Sequence, residues 1–339
     1  EVCTLGSAYL PAYPEGVRTG IKKIGKSLIG LDPTNLAQIN SVMDINLKGH
    51  NYVKSPIDMA CWDILGKYTK QPVWKILGGK FGKNVKLYRA ISQEDPETMS
   101  KKVKGYKQEG YTKFQLKVGG DPNEDIERIK LVRSILDNSD VLIADANTGW
   151  LMHDALKVIK ATEHLDIYYE QPCISYEENL AIRKKTKNPF ILDENIDSIQ
   201  SFLRAFNDHA MDIINIKISK LGGITKSRLL RDLCVELGIA MTIEDSWGGD
   251  IATAAMTTIA SNENVDTVGT RSTNDNEDVA ASTAINTQPS SIGAAASKGG
   301  NIATSNITPG TSLLQQRNLN ERGVIASMAK TAGEMLTRR

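Results

Sequence analysis

From about residue 86 to residue 260 short apolar runs alternate with amphipathic helical stretches, and this alternation constrains the fold more than any other feature of the chain. The runs read "VKLYRAIS", "KFQLKV", "VLIADA", "IYYEQ", "FILDE", "DIINIKIS" and "IAMTIED". The helix candidates between them carry their own punctuation. "DPNEDIERIKLVRSIL" opens with Asp-Pro, which favours a helix start, and "GGITKSRLLRDLCVELG" stops at Gly238. Strand then helix, repeated about seven times, predicts parallel strands joined by crossovers. The unit length suits a (β/α)8-type barrel, whose usual total is ~250 residues. A doubly wound open sheet is the alternative, and the lack of a G-x-G-x-x-G or Walker sequence weakens it.

The flanks differ from this middle. Residues 1–84 hold helical segments such as "SPIDMACWDILGKYTK" and no clear strand–helix repeat, which predicts a mainly helical region packed beside a barrel of residues 85–270. After about Ser261 the chain turns rich in Ser, Thr, Asn, Ala and Gly, and residues 271–339 read as a divergent polar C-terminal region. An eighth strand is expected at "NVDTVGT" (264–270) and a final helix at about 320–337.

A net charge of +1 over 339 residues argues against an electrostatic nucleic-acid binder. No apolar run approaches the ~20 residues of a membrane helix. Cys3, Cys61, Cys173 and Cys234 are far apart and lack zinc-type pairing, so they read as reduced cysteines of a cytoplasmic protein. The chain opens at Glu1 without Met or signal peptide, and an N-terminal truncation is the expectation.

In a barrel of this type chemistry sits where strands end. The polar residues at those ends are Lys117, Asp145, Glu170, Asp193, Lys217 and the pair Glu244–Asp245. Successive spacings of 28, 25, 23, 24 and, to Asp245, 28 residues place each about one strand–helix unit beyond the last. Asp145, Glu170 and Asp193 should therefore converge from three neighbouring strands. Like charges raise one another's pKa, so three carboxylates sharing a site call for a cation, and Mg2+ favours carboxylate oxygens. Turn and strand-exit chemistry explains any one of these acids taken alone.

Strand alternation puts Phe114, Leu116 and Val118 of "FQLKVGG" on one face, and Gln115 and Lys117 on the other. "INIKIS" repeats the pattern with Asn215 and Lys217. Two lysines then flank the carboxylates. Structural ion pairs are one reading of them, and the one taken for Lys220. The other is general acid–base work, which requires lysine's ~10.4 to fall by a few units. Abstraction of a proton α to a carboxylate would use such a base beside a metal that stabilises the enediolate.

These residues resemble the enolase superfamily, in its muconate lactonizing enzyme subgroup (mandelate racemase/muconate lactonizing enzyme branch). "Asp145-Ala-Asn147", "Glu170-Gln-Pro172" and "Asp193-Glu194" are similar to the family's metal-ligand motifs, and "Lys217-Ile-Ser-Lys220-Leu-Gly-Gly" to its sixth-strand lysine motif. The four histidines lie elsewhere and do not form a His–Asp catalytic pair. "LYRAISQ", "KFQLKVGGDP", "ADANTGW", "EQPC" and "EDSWGGDIATAA" resemble the branch that acts on proline derivatives. The similarity covers about residues 1–260 and finds no match in the polar stretch that follows.

The resemblance implies an α/β protein: a modified TIM barrel with an α+β capping domain, here N-terminally truncated. The implied ligands of Mg2+ are Asp145, Glu170 and Asp193, with Lys117 and Lys217 as the base and acid pair, roles unassigned. Gln115, Asn147, Glu194, Asp245 and Trp247 are expected to orient the metal ligands and lysines or to contact the substrate, Asp245 against a ring nitrogen. Relatives often carry Lys-x-Lys where this chain has Gln115-Leu-Lys117, so Gln115 is expected to set the pKa of Lys117. The implied activity is dehydration of cis-3-hydroxy-L-proline to Δ1-pyrroline-2-carboxylate. Epimerisation of proline betaine or hydroxyproline betaine is the alternative, and dipeptide epimerisation a weaker one. The expected partners are a small amino-acid or betaine carboxylate and further copies of the chain, with no nucleic acid and no membrane.

Overall fold

A computed structural model describes residues 1–260, apart from Leu5, Ala8, 81–84 and Trp247, together with the short strand Thr270–Arg271. The expected strand at 264–270 lies outside the described residues except at Thr270, and the expected helix at 320–337 and region 271–339 lie outside them except at Arg271.

The cap comprises helices α1 (Pro14–Leu28), α2 (Leu36–Asn46), α3 (Asn51–Thr69) and the short α4 (Val73–Ile76). Its core is an apolar cluster that includes Ile24, Leu28, Ile39, Met43 and Ile57. The barrel follows as β1 (Leu87–Ile91), α5 (Pro96–Gln108), β2 (Lys113–Lys117), α6 (Pro122–Ser134), β3 (Val141–Asp145), α7 (Met152–Thr162), β4 (Tyr168–Glu170), α8 (Tyr176–Arg183), β5 (Phe190–Leu192), α9 (Ile199–Asn207), β6 (Ile213–Lys217), α10 (Ile218–Leu221), α11 (Ile224–Leu237), β7 (Ala240–Glu244), α12 (Asp250–Ala260) and β8 (Thr270–Arg271). All strands are parallel and close in sequence order, β8 returning to β1. The first seven lie inside the seven apolar runs of the sequence.

Local chemistry sets many element ends. Asp121 caps α6 through the Asn123 and Glu124 amides, with Pro122 in the first turn. Ser175 and Glu178 form a capping box on α8. Gly238 ends α11 in the left-handed region.

Alternation then sorts the strand residues. Phe114, Leu116, Leu142, Ala144, Tyr169, Leu192, Ile214, Ile216 and Ile243 join the large core between strands and helices. Inside the barrel a small apolar plug of Ile143, Ile191 and Ile213 closes the lower end. The inward residues above that plug are polar. No described helix is long and apolar enough to cross a membrane. Cys61, Cys173 and Cys234 are buried and all four cysteines are free thiols.

Candidate active site

Register decides which strand-end residues meet. Lys117 of β2 stands beside Asp145 of β3, and Asp145 beside Glu170 of β4. The next strand is stepped, with Glu170 opposite Ile191, so Asp193 lies two residues further along. Lys217 of β6 pairs in register with Glu244 of β7. β2 and β6 are four strands apart in a ring of eight, so the two lysines face each other across the barrel mouth with the carboxylates between.

The lysines engage the carboxylates directly. Lys117 bonds Asp145. Lys217, 1% exposed, bonds Asp193 and lies 3.3 Å from Glu244. Lys220, a structural ion-pair lysine on the sequence reading, donates to the other Asp193 oxygen at 2.7 Å. Burial alone would raise Asp193, but Lys217 and Lys220 hold it well below the usual carboxylate range. Burial pulls Lys217 down, yet Asp193, Tyr9, Glu244 and Glu194 outweigh it and keep the ammonium well above lysine's ordinary value. The expected fall is therefore not present at Lys217 in this arrangement, because its neighbours are anionic. Glu170, buried among Asp145, Asp193 and Glu244, is pushed well up.

Gln115 does not reach Lys117, as its expected role requires. Its Nε2 donates to Glu170 Oε2 at 2.9 Å, while Asn215 Nδ2 donates to Glu170 Oε1 at 2.9 Å. Asn147 donates to Glu194 at 3.1 Å, and burial raises the Glu194 carboxyl to about 7.

The loops above the strands are tightly specified. Asn147, Thr148 and Gln171, just past Asp145 and Glu170, have φ of 43°, 67° and 38°, a left-handed backbone that is costly for residues other than glycine. Gln171 accepts from the Asp193 amide at 2.9 Å and donates to Asn195, tying the β4 and β5 exits together. After Lys117, Gly119 has φ +100° and a Cβ there would strike the Ala146 carbonyl. The Gly119 and Gly120 amides both donate to buried Asp125, which also takes the Trp150 indole N–H.

Three further residues join the site beyond those assigned a role in it from sequence. Tyr9, in the segment before α1, places its hydroxyl 2.5 Å from Lys217 Nζ and 3.3 Å from Asn147 Nδ2, with its ring 5.0 Å from the ammonium. Nothing local marks it as a site residue. Glu244 also takes the Tyr88 hydroxyl of β1 across the two-residue β8. Its signal was the alternation Ala240, Thr242, Glu244. Lys220 is the third. Cap helix α3 braces this side: Asn51 donates to the Lys220 carbonyl at 2.8 Å, and buried Asp58 accepts from Thr225 N at 2.9 Å.

Asp245 turns toward the β6 exit, where it accepts from Ser219 and from the Ser246 amide at 2.8 Å. Trp247 lies outside the described residues. Burial raises Asp245 to about 6 despite those bonds. An unfolded aspartate titrates near ~3.9. The folded state thus binds this proton more tightly, so its contribution is fully present at low pH and lost as pH climbs from about 4 to about 6. Asp245→Asn should flatten that decline in a series of melting temperatures from pH 4 to 7, and an unchanged slope would count against ionisation of Asp245 in this window.

The donor set fits a hard divalent cation. Asp145, Glu170, Asp193, Glu194, Glu244 and Asp245 supply carboxyl groups, and Lys117, Lys217 and Lys220 are the lysines paired with them in the described contacts. That surplus of oxygen donors is what Mg2+ prefers. In the present orientation they serve the lysines and amides, and among the described residues no three His, Cys, Asp or Glu side chains share one coordination point. A cavity of about 600 Å³ is lined by residues 10–13, α1, the start of α3, Glu194 and Lys220.

Residues 4–78 match the mandelate racemase/muconate lactonizing enzyme N-terminal domain, and residues 98–311 match the enolase C-terminal domain-like family. The second match continues past Ser261, into the polar stretch where sequence reading found no likeness. The chain is 58% identical over 260 residues to the cis-3-hydroxy-L-proline dehydratase of Roseibium aggregatum, covering 77% of this chain and 71% of that one. It is 33% identical to the N-succinyl-L-Arg/Lys racemase of Bacillus cereus, covering 68% of this chain and 63% of the relative. A magnesium-complexed enolase superfamily member from Roseovarius nubinhibens superposes with a TM-score of 0.76 at 35% identity, over 80% of this chain and 74% of its own.

Proposed function

The chain belongs to the mandelate racemase/muconate lactonizing enzyme group of the enolase superfamily, and from that premise we propose that it dehydrates cis-3-hydroxy-L-proline. The observation that carries this reading is the opposition of Lys117 and Lys217 on β2 and β6, taken with the 58% identity to a dehydratase of that substrate. In cis-3-hydroxy-L-proline the hydroxyl is on the carboxylate's side of the ring, so the C2 hydrogen is on the opposite side. Base and acid must then approach from opposite faces, as two lysines on facing strands do.

Lys217, held protonated by its anionic neighbours, suits delivery of a proton to the departing hydroxyl. Lys117 takes the C2 proton. The C2–H electron pair becomes the C2–C3 double bond, and the C3–O bond breaks with loss of water. The resulting enamine gains a proton at C3 and loses one from nitrogen, which gives Δ1-pyrroline-2-carboxylate. Asp145, Glu170 and Asp193 would hold Mg2+, which supplies positive charge where the substrate carboxylate accumulates negative charge. Tyr9 and Asn147 lie beside Lys217 and Glu194 respectively and help confine the site.

The test is incubation with Mg2+ and cis-3-hydroxy-L-proline, trans-3-hydroxy-L-proline or proline betaine in deuterium oxide. The expected result is Δ1-pyrroline-2-carboxylate from the cis isomer alone. Epimerisation of the betaine without elimination would replace this reading with the alternative that opposed lysines also serve. Absence of turnover and of C2 exchange with every substrate would overturn an enzymatic role.

A further inference from the structure

Each lysine-bearing strand also carries an amide two residues earlier: Gln115 before Lys117 on β2, and Asn215 before Lys217 on β6. Both amides are buried inside the barrel, at 1% exposure, and both point at the same group. Gln115 Nε2 donates to one oxygen of Glu170 and Asn215 Nδ2 to the other, each at 2.9 Å. Glu170 sits on β4, midway between the two lysine strands. We propose that Gln115 and Asn215 are a matched pair of positioning residues that fix Glu170 from both sides and leave an acceptor site on each of its oxygens for a divalent cation. The inference rests on the reading of Glu170 as a ligand of Mg2+.

A carboxylate offers about four acceptor sites, two on each oxygen. One donor on each oxygen fixes the plane of the group and still leaves an acceptor site on both. A single donor would leave the side chain free to rotate about its last torsion. The chemistry of the donors also matters. An ammonium in either position would neutralise Glu170, whereas an amide orients it without adding charge. With Lys117 committed to Asp145, and Lys217 and Lys220 to Asp193, Glu170 is the carboxylate of the three that no lysine pairs with in the described contacts. The two amides therefore hold in place the carboxyl group of the three for which no lysine competes in the described contacts.

The experiment is calorimetric titration of the intact chain with Mg2+ in the absence of substrate, so the readout is independent of turnover. Substitutions of residues that orient metal ligands typically cost 10–100-fold in affinity. Gln115→Leu and Asn215→Leu should each weaken Mg2+ binding by about that factor with the melting temperature held. The double variant should lose less than the product of the two factors, because both amides act on one carboxylate. Asn215→Gln and Gln115→Asn should recover little, since the reach to Glu170 changes. Thr242→Val, beside Asn215 in register and with no partner for its hydroxyl among the described residues, is the control and should bind as wild type. If wild type binds Mg2+ and both leucine variants bind it equally well, the positioning role is overturned and the metal reading stands. If wild type binds no Mg2+, both are overturned. A loss matched by Thr242→Val would show general disturbance of the barrel interior and would also overturn the proposal.

Discussion

Lys117→Ala should abolish both turnover and exchange of the C2 hydrogen, while Lys217→Ala should abolish turnover and leave exchange in place. A positioned acid or base contributes about 10²–10⁴-fold, and here each lysine also faces a carboxylate that its loss would strand. The asymmetry follows from the assigned roles. Removing the base stops the first bond from breaking. Removing the acid stops departure of the hydroxyl but leaves a proton at C2 that Lys117 still takes and returns from solvent. Mass spectrometry of substrate recovered from deuterium oxide reads the first effect, and product formation the second. Exchange in Lys117→Ala at the wild-type rate would remove Lys117 as the base. Loss of exchange only in Lys217→Ala would reverse the assignment. Near-native turnover in either variant would remove that lysine from the mechanism.

Asp193→Asn should cause the largest combined loss of stability and metal binding. Asp193 is fully buried and stands between two ammonium groups, Lys217 and Lys220. Replacing it with an amide leaves both cations buried without their shared anion, and breaking such a pair costs on the order of 3–5 kcal/mol. Its depressed carboxyl stabilises the folded state above the unfolded value of ~3.9, and that contribution is lost as pH falls through the lower folded value. The variant should therefore melt well below wild type at pH 7 and converge toward it in acid. It should also titrate Mg2+ more weakly. Thermal melts across pH and a metal titration check the two halves separately. An unchanged metal titration would remove Asp193 from the ligand set.

Much of the barrel was readable because inward and outward positions alternate along strands such as β2 and β6. Phe114 and Leu116 had to face the helices, and that left Gln115 and Lys117 for the interior. The carboxylates were readable because each ends a strand at nearly constant spacing. What each inward side chain touches was not readable in the same way. Gln115 was expected on Lys117 and is on Glu170, two strands away, because the stagger of a closed barrel decides which inward residues share a level. Glu244 was passed over for Asp245, although only every second residue of β7 faces inward. Lys220 reads as a structural ion-pair lysine, and the short α10 turns it onto Asp193, a partner its place after the strand does not reveal. Tyr9 belongs to a segment without periodicity, and only the packing of the cap over the barrel brings it to Lys217.

The lock between α3 and the barrel bears on the order in which the molecule forms. Asp58 is fully buried, and its carboxylate is satisfied by Asn40 from the cap and by Thr225, 167 residues further along the chain. A Cβ at Gly223 would collide with the Asp58 carboxylate, so the two backbones close on each other with no side chain between. The cap is synthesised before any strand of the barrel, yet its central helix cannot bury that carboxylate until the segment after β6 exists. Contacts of such sequence separation carry a loop-closure cost and form late. The cap, which precedes the barrel in the chain, is thus among the last parts to settle, and helix α3 waits on a half-built barrel for the partner that completes it.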